Sequence, residues 1–205
     1  MSGIRPYRPE DRDDVYRICV LTGESGGDAT GLYPADLIPD VYAGPYLEFE
    51  PELAFVVDAE DGVAGYVIAT ADTRRFAERY REEWLPRFTA RYPRPDPESV
   101  PQHVTQMIDA GYRPERMLIP EVDDYPAHLH IDILPGHQGA GWGRALMSTL
   151  LDALAERGVG KVHLTMSPAN TGARAFYDRL GFTELPSSRP TAPALGIATD
   201  ALRSR

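Results

Sequence analysis

Hydrophobic positions fall into two periods along this chain. Runs at residues 4–7, 53–58, 63–70, 128–134, 161–166 and 182–185 are short and rich in aliphatic or β-branched side chains, so they read as strands. Ala-Glu-Asp-Gly at residues 59–62 joins the second and third as a hairpin turn. Helical spacing governs the stretches between. Residues 11–21 carry Val15, Ile18, Cys19 and Leu21, and residues 139–157 carry Leu146, Leu150 and Leu154 on one face before Gly158. Residues 170–180 form a helix closed by Gly181, and residues 35–43 a short helix that Pro39 should break. Residues 23–31 are a Gly-rich, acidic loop.

The stretch 73–92 is charged but places Phe76, Tyr80, Trp84 and Phe88 four apart, a stripe along one helix face that should pack onto the main sheet. Pro86 predicts a kink or break there. A Pro-rich linker at 93–97 leads to a second helix over 99–111, ending at Gly111. Arg74, Arg75, Arg79 and Arg81 are balanced by Glu78, Glu82 and Glu83 at helical pair spacing, the pattern of a solvated face. After a Pro/Ser-rich segment from about 186, residues 194–199 predict an added edge strand. Strands that precede and follow helices, together with an early hairpin, imply an α/β class with a mixed sheet and helices on both faces. The length suits one domain over 1–205, with a helical insertion at about 73–120 between the third and fourth strands.

Composition narrows the function. The apolar fraction of 42% and charged fraction of 25% are those of an ordinary soluble domain. No apolar run reaches the roughly 20 residues that span a bilayer, and the first ten residues have no apolar core of a secretory signal. The expectation is a cytoplasmic protein with no membrane partner. A net charge of -10 argues against nucleic-acid binding, which needs a basic face. Cys19 stands alone, so no internal disulfide forms, and its helical apolar setting reads as core.

One loop carries chemistry. Residues 134–146 read Leu-Pro-Gly-His-Gln-Gly-Ala-Gly-Trp-Gly-Arg-Ala-Leu: a strand enters a Gly-rich turn that opens into an amphipathic helix. Glycines let the backbone approach an anion, the first helical N–H groups lack internal acceptors, and the helix dipole favours negative charge. The result is a phosphate or pyrophosphate site. The dinucleotide pattern fails, because Arg144 and Leu146 stand where a further glycine is needed. A Walker loop fails too, since no Gly-Lys-Ser/Thr follows.

Downstream, residues 170–182 read Asn-Thr-Gly-Ala-Arg-Ala-Phe-Tyr-Asp-Arg-Leu-Gly-Phe. Gln138-x-x-Gly141-x-Gly143 resembles motif A of the GNAT acetyltransferase superfamily, and Asn170-x-x-Ala173-x-x-Phe176-Tyr177-x-x-x-Gly181-Phe182 resembles its motif B. The likeness covers roughly 128–185. Phe55-Val56-Val57, Asp61-Gly62, Gly65-Tyr66, Trp84-Leu85-Pro86 and the strand 129–135 further resemble the acetyltransferase-like C-terminal domain of O-GlcNAcase.

The resemblance implies a GNAT fold, with the mixed sheet splayed at an acetyl-CoA site. Backbone groups of Ile133 and Leu134 would bind the pantetheine arm, one N–H polarising the thioester carbonyl. Backbone N–H groups of Gln138, Gly139, Ala140, Gly141, Trp142, Gly143 and Arg144 would hold the pyrophosphate. Asn170, Ala173 and Phe176 would contact the coenzyme, and Tyr177 would protonate or hydrogen-bond the sulfur. His128, His130 and Asp132 share one strand face. His130 and Asp132 are candidates for the proton transfer that an amine acceptor requires, or Asp132 for orienting a cationic acceptor. The same face has the look of a metal site, but the family uses none.

Two function classes follow. The first is an N-acetyltransferase acting on an unknown amine of a small molecule, peptide or protein by direct attack, with another acyl-CoA as a variant donor. The second is a catalytically inactive pseudo-acetyltransferase that binds acetyl-CoA as a sensor or interaction module. Family members are monomers or homodimers.

Overall fold

A computed structural model describes residues 2–60, 62–96 and 98–203. Asp61 of the expected hairpin turn and Pro97 of the linker lie outside the described residues. Seven strands form one sheet among them: β1 (Gly3–Pro6), β2 (Ala54–Ala59), β3 (Gly62–Thr70), β4 (Ala127–Ile133), β5 (Lys161–Thr165), β6 (Thr183–Glu184) and β7 (Ala194–Ala198). Their order is β1-β2-β3-β4-β5-β7-β6, and every neighbouring pair is antiparallel except β4 and β5. The mixed sheet matches the expectation.

The last strand corrects one. β7 does not lie at the edge: it pairs β5 on one side and β6 on the other, and the two-residue β6 forms the rim. The reason is in its composition. Ala-Leu-Gly-Ile is buried on both faces, and Gly196 leaves room for the Tyr125 ring, which a Cβ there would overlap. A strand apolar on both faces belongs inside a sheet.

Helices cover both faces. On one lie α1 (Arg12–Leu21), α2 (Leu37–Tyr42), α3 (Gly44–Phe49), α4 (Thr73–Arg79), α5 (Leu85–Arg91) and α6 (Gln102–Gly111). They pack with Tyr66 and Ile68 of β3 around Tyr46, Phe76 and Trp84. On the other lie α7 (Trp142–Glu156) and α8 (Thr171–Leu180), packed with Val67, Leu129 and Val162. Leu146, Leu150 and Leu154 of α7 are fully buried, each contributing about 1.5–3 kcal/mol of burial free energy.

Pro39 does not break α2. It sits in the first turn, where its missing N–H has no intrahelical acceptor to lose. The chain turns instead at Ala43 and enters α3, a helix absent from the sequence expectation. Pro86 likewise sits in the first turn of α5, and the distortion lies just upstream, in a π-helical turn at Tyr80–Trp84 closed by the Leu85 N–H on the Tyr80 carbonyl. Phe76, Tyr80, Trp84 and Phe88 are all buried. They face α3, α2 and α6 more than the sheet: Phe76 stacks on Tyr46, the Trp84 indole N–H donates to the Asp40 carbonyl, and the Tyr80 hydroxyl donates to the Gly111 carbonyl. Among the described residues, Phe76 is the member of the stripe whose ring meets a ring of the sheet, that of His128 on β4.

Candidate active site

The two parallel strands at the centre part company early. β4 pairs β5 only at Ala127 and His128, although β4 continues to Ile133 and β5 to Thr165. From Leu129 onward, β4 keeps its bonds to β3 and loses its other neighbour. In an antiparallel ladder, the N–H and C=O of alternate residues point to the same side. The Leu134 N–H donates to the Ala64 carbonyl on the β3 side, so the backbone groups of Ile131 and Ile133 point into the gap. The Ile133 carbonyl there accepts a bond from the Gln138 side-chain amide at 2.9 Å. This corrects the expectation for Leu134: its N–H serves β3, its carbonyl accepts from the His137 N–H, and of the two residues it is Ile133 that offers a donor to the gap.

The gap opens into a cleft of about 800 Å³. Its wall includes Ile131, Asp132 and Ile133 of β4; Gln138, Gly139, Gly141, Gly143 and Arg144 of the Gly-rich segment; and Asn170, Ala173, Phe176 and Tyr177 of motif B. The expected residues Leu134, Ala140, Trp142 and His130 do not line it.

α7 starts three residues later than its apolar pattern predicts. Gly139 and Gly141 have φ of 78° and 87°, outside the helical region, so the helix begins at Trp142. Among the described residues, no backbone acceptor meets the N–H groups of residues 139–144, and no side chain caps the helix. Gly143 has a different reason to be glycine: a Cβ there would lie 2.8 Å from the Phe176 ring, which packs against this first turn. Arg144 and Arg179 add positive charge to the wall. The arrangement is an anion cradle.

Asn170 caps α8, its Oδ1 accepting from the Ala173 N–H at 3.0 Å. Tyr177 is buried beside Phe176 and Phe182. Its hydroxyl has no hydrogen-bond partner among the described residues, and burial, with the Asp132 charge second, raises its pKa, so it stays protonated.

Asp132 lies on the opposite sheet face from Ile131 and Ile133. Tyr66, its register partner on β3, donates to its Oδ2 at 2.6 Å, while the nearby Thr22 hydroxyl donates to the Ile18 carbonyl. Burial raises the carboxyl to about 6, against the lowering effect of those two hydroxyls. His130 is half-buried, and burial, then Arg116, lowers it to about 3, so the ring is neutral. A neutral imidazole with so low a pKa is a weak base. His128 is fully engaged between Thr73 and Tyr46.

Sequence reasoning misses Tyr66, Thr22, Ser25 and Gly26. The last three come from the loop after α1, which crosses to the motif B loop: Ser25 Oγ lies 3.1 Å from Ser167 Oγ, and Gly26 packs on the Asn170 amide. The Gly-rich composition of that loop is a visible signal. Tyr66 stands in the likeness to the O-GlcNAcase domain, but no spacing ties it to Asp132, because its role depends on strand register.

Comparison with known proteins bears on this geometry. The sequence pattern of the Acetyltransferase (GNAT) family matches residues 28–182. The crystal structure of SsHAT superposes with a TM-score of 0.88 at 51% identity, covering 97% of this chain and 98% of that one. Protein O-GlcNAcase of Rattus norvegicus is 26% identical over 184 residues, which is 89% of this chain but 20% of that protein. The chain thus spans about a fifth of the length of the O-GlcNAcases it matches. The structure of yncA from Salmonella typhimurium, solved with its cofactor acetyl-CoA, shares the fold at 15% identity and a TM-score of 0.54, over 97% of this chain and 94% of that one. The chain belongs to the acetyltransferase (GNAT) family.

Proposed function

We propose that this protein transfers the acetyl group of acetyl-CoA to a primary amine by direct attack. The observation that carries the reading is the joining, in one cleft, of a β4 edge that has lost its strand partner, a run of N–H groups without acceptors, and a protonated Tyr177 hydroxyl without a partner, all among the described residues. These residues fit coenzyme A. The N–H groups of residues 139–144 suit the pyrophosphate, and the gap between β4 and β5 suits an extended pantetheine arm bonded like a strand.

Acetyl-CoA supplies a thioester whose carbonyl carbon the amine attacks, forming a C–N bond as the C–S bond breaks. The Ile133 N–H faces the gap and donates to the carbonyl oxygen as negative charge develops there. Asp132, ionised above about pH 6, takes a proton from the acceptor ammonium so that the nitrogen lone pair is free. Tyr177 gives a proton to the departing sulfur, and the second proton that the nitrogen sheds as the amide forms restores its hydroxyl. His130 is the weaker candidate for base because its ring resists protonation.

The helices between β3 and β4 contribute no residue to the cleft wall, so they do not plug it. That favours transfer over a closed binding module. The test measures thiol release from acetyl-CoA with a panel of primary amines. Wild type should release thiol above background with at least one amine. Tyr177→Phe should keep acetyl-CoA binding by calorimetry while losing about 10²-fold or more in kcat. Tight binding with no amine-dependent release would assign a binding module instead, and absence of binding would remove both readings.

A further inference from the structure

The buried polar cluster on the inner face of β4 has a directed hydrogen-bond order, fixed atom by atom by which groups can donate. Thr73 has one hydroxyl proton, and it goes to the Pro126 carbonyl at 2.7 Å, since a carbonyl cannot donate. His128 Nδ1, 2.8 Å from that Thr73 oxygen, must then be the donor. In a neutral imidazole one nitrogen carries the proton and the other accepts, and burial keeps His128 neutral. Its Nε2 is therefore an acceptor. The Tyr46 hydroxyl touches that Nε2 and donates to it, the Met117 sulfur at 3.7 Å being the weaker acceptor. With its proton spent, the Tyr46 oxygen accepts from His130 Nε2 at 3.1 Å. His130 must carry its proton on Nε2, and its Nδ1 is left as a bare lone pair with no partner among the described residues.

We propose that Thr73, His128 and Tyr46 are positioning residues that lock His130 in its Nε2–H tautomer, so that Nδ1 accepts a hydrogen bond from a second donor of the acceptor whose amine Asp132 holds. His130 and Asp132 are two residues apart on one face of β4, about 7 Å along the strand. His130 stands outside the cleft wall, so an acceptor whose nitrogen Asp132 holds reaches it through a further donor along its length. The pair selects an acceptor with a second hydrogen-bond donor beyond its reactive nitrogen, which a simple monoamine lacks. The acceptor part of this inference rests on the transfer reading above; the tautomer order does not.

Two readouts separate these parts. Nitrogen-15 NMR of imidazole-labelled, wild-type protein reads tautomers directly. The expected result is opposite tautomers on neighbouring histidines, Nδ1–H at His128 and Nε2–H at His130, near pH 7. An Nδ1–H or doubly protonated His130 overturns the proposal, whatever the protein does with acetyl-CoA. Tyr46→Phe should mix the His130 tautomers and raise KM for the amine roughly tenfold, with a smaller change in kcat. Thr73→Ser keeps the hydroxyl and should retain both tautomers and KM. An unchanged amine KM in a folded Tyr46→Phe protein overturns the acceptor role. Failure of wild type to bind acetyl-CoA would remove the transfer reading and leave the tautomer assignment standing.

Discussion

Asp132 is held in a place that costs the fold stability, and replacing it by asparagine should show how much. Burial raises its carboxyl from the ordinary 3.8 to about 6. A carboxyl with its folded pKa raised is favoured protonated in the native state, so its contribution is best at low pH and worsens as pH rises through about 6. A rise of this size corresponds to about 3 kcal/mol once both states are ionised. The carboxylate keeps one side open to cleft water, which reduces the net cost to about 1–2 kcal/mol. An asparagine side chain is nearly isosteric with the aspartate, would still accept from the Tyr66 hydroxyl, and would turn its amide toward the cleft. Asp132→Asn should therefore be about 1–2 kcal/mol more stable than wild type in urea denaturation at pH 8, while losing amine-dependent thiol release. At pH 4 the advantage should vanish, because the wild-type carboxyl is then protonated in the native state and about half protonated in the unfolded one. A variant that is no more stable at pH 8, or whose advantage persists at pH 4, would refute the reasoning about what raises this group.

Two other substitutions probe neighbouring links. Tyr66→Phe removes a bond that lowers the Asp132 pKa, so the acidic limb of the kcat/KM profile should move to higher pH, measured as a pH–rate series. A limb that moves to lower pH or stays put would remove Tyr66 from that role. Gly143→Ala places a methyl group against the Phe176 ring, and should cost about 1–3 kcal/mol in thermal unfolding and weaken acetyl-CoA binding by calorimetry.

The parts of this molecule legible in the sequence are those whose chemistry is local. The Gly-rich turn and residues 170–182 announce themselves because each needs particular residue types at fixed spacing: glycines for positive φ, Asn170 as a cap, Gly181 to end a helix. The central strands and the two amphipathic helices are visible for the same reason. What stays hidden depends on partners far along the chain. β7 reads as an edge because nothing local says that β6 pairs its outer side. Leu134 and Ile133 are indistinguishable until the Leu134 N–H is found on Ala64. Tyr66 becomes part of the site only through its register with Asp132. The histidine face reads as a row of proton-transfer candidates, and its His128 and His130 belong instead to an ordered chain reaching α4 through Thr73.

The π-helical turn at Tyr80–Trp84 has a consequence for how the helix can change length. An α-helix advances about 100° per residue, so the stretch from Phe76 to Phe88 would carry the second ring about 120° away from the first. The extra residue taken up by the wider turn cancels about 100° of that, leaving the two rings roughly 20° apart and both inside. Removing one residue from this turn, such as the exposed Glu82, would yield a regular helix with the same rings facing inward. Removing one from α4 or α5 would instead swing everything beyond it through about 100°. The helix thus contains a place where its sequence can lose a residue without losing its inner face.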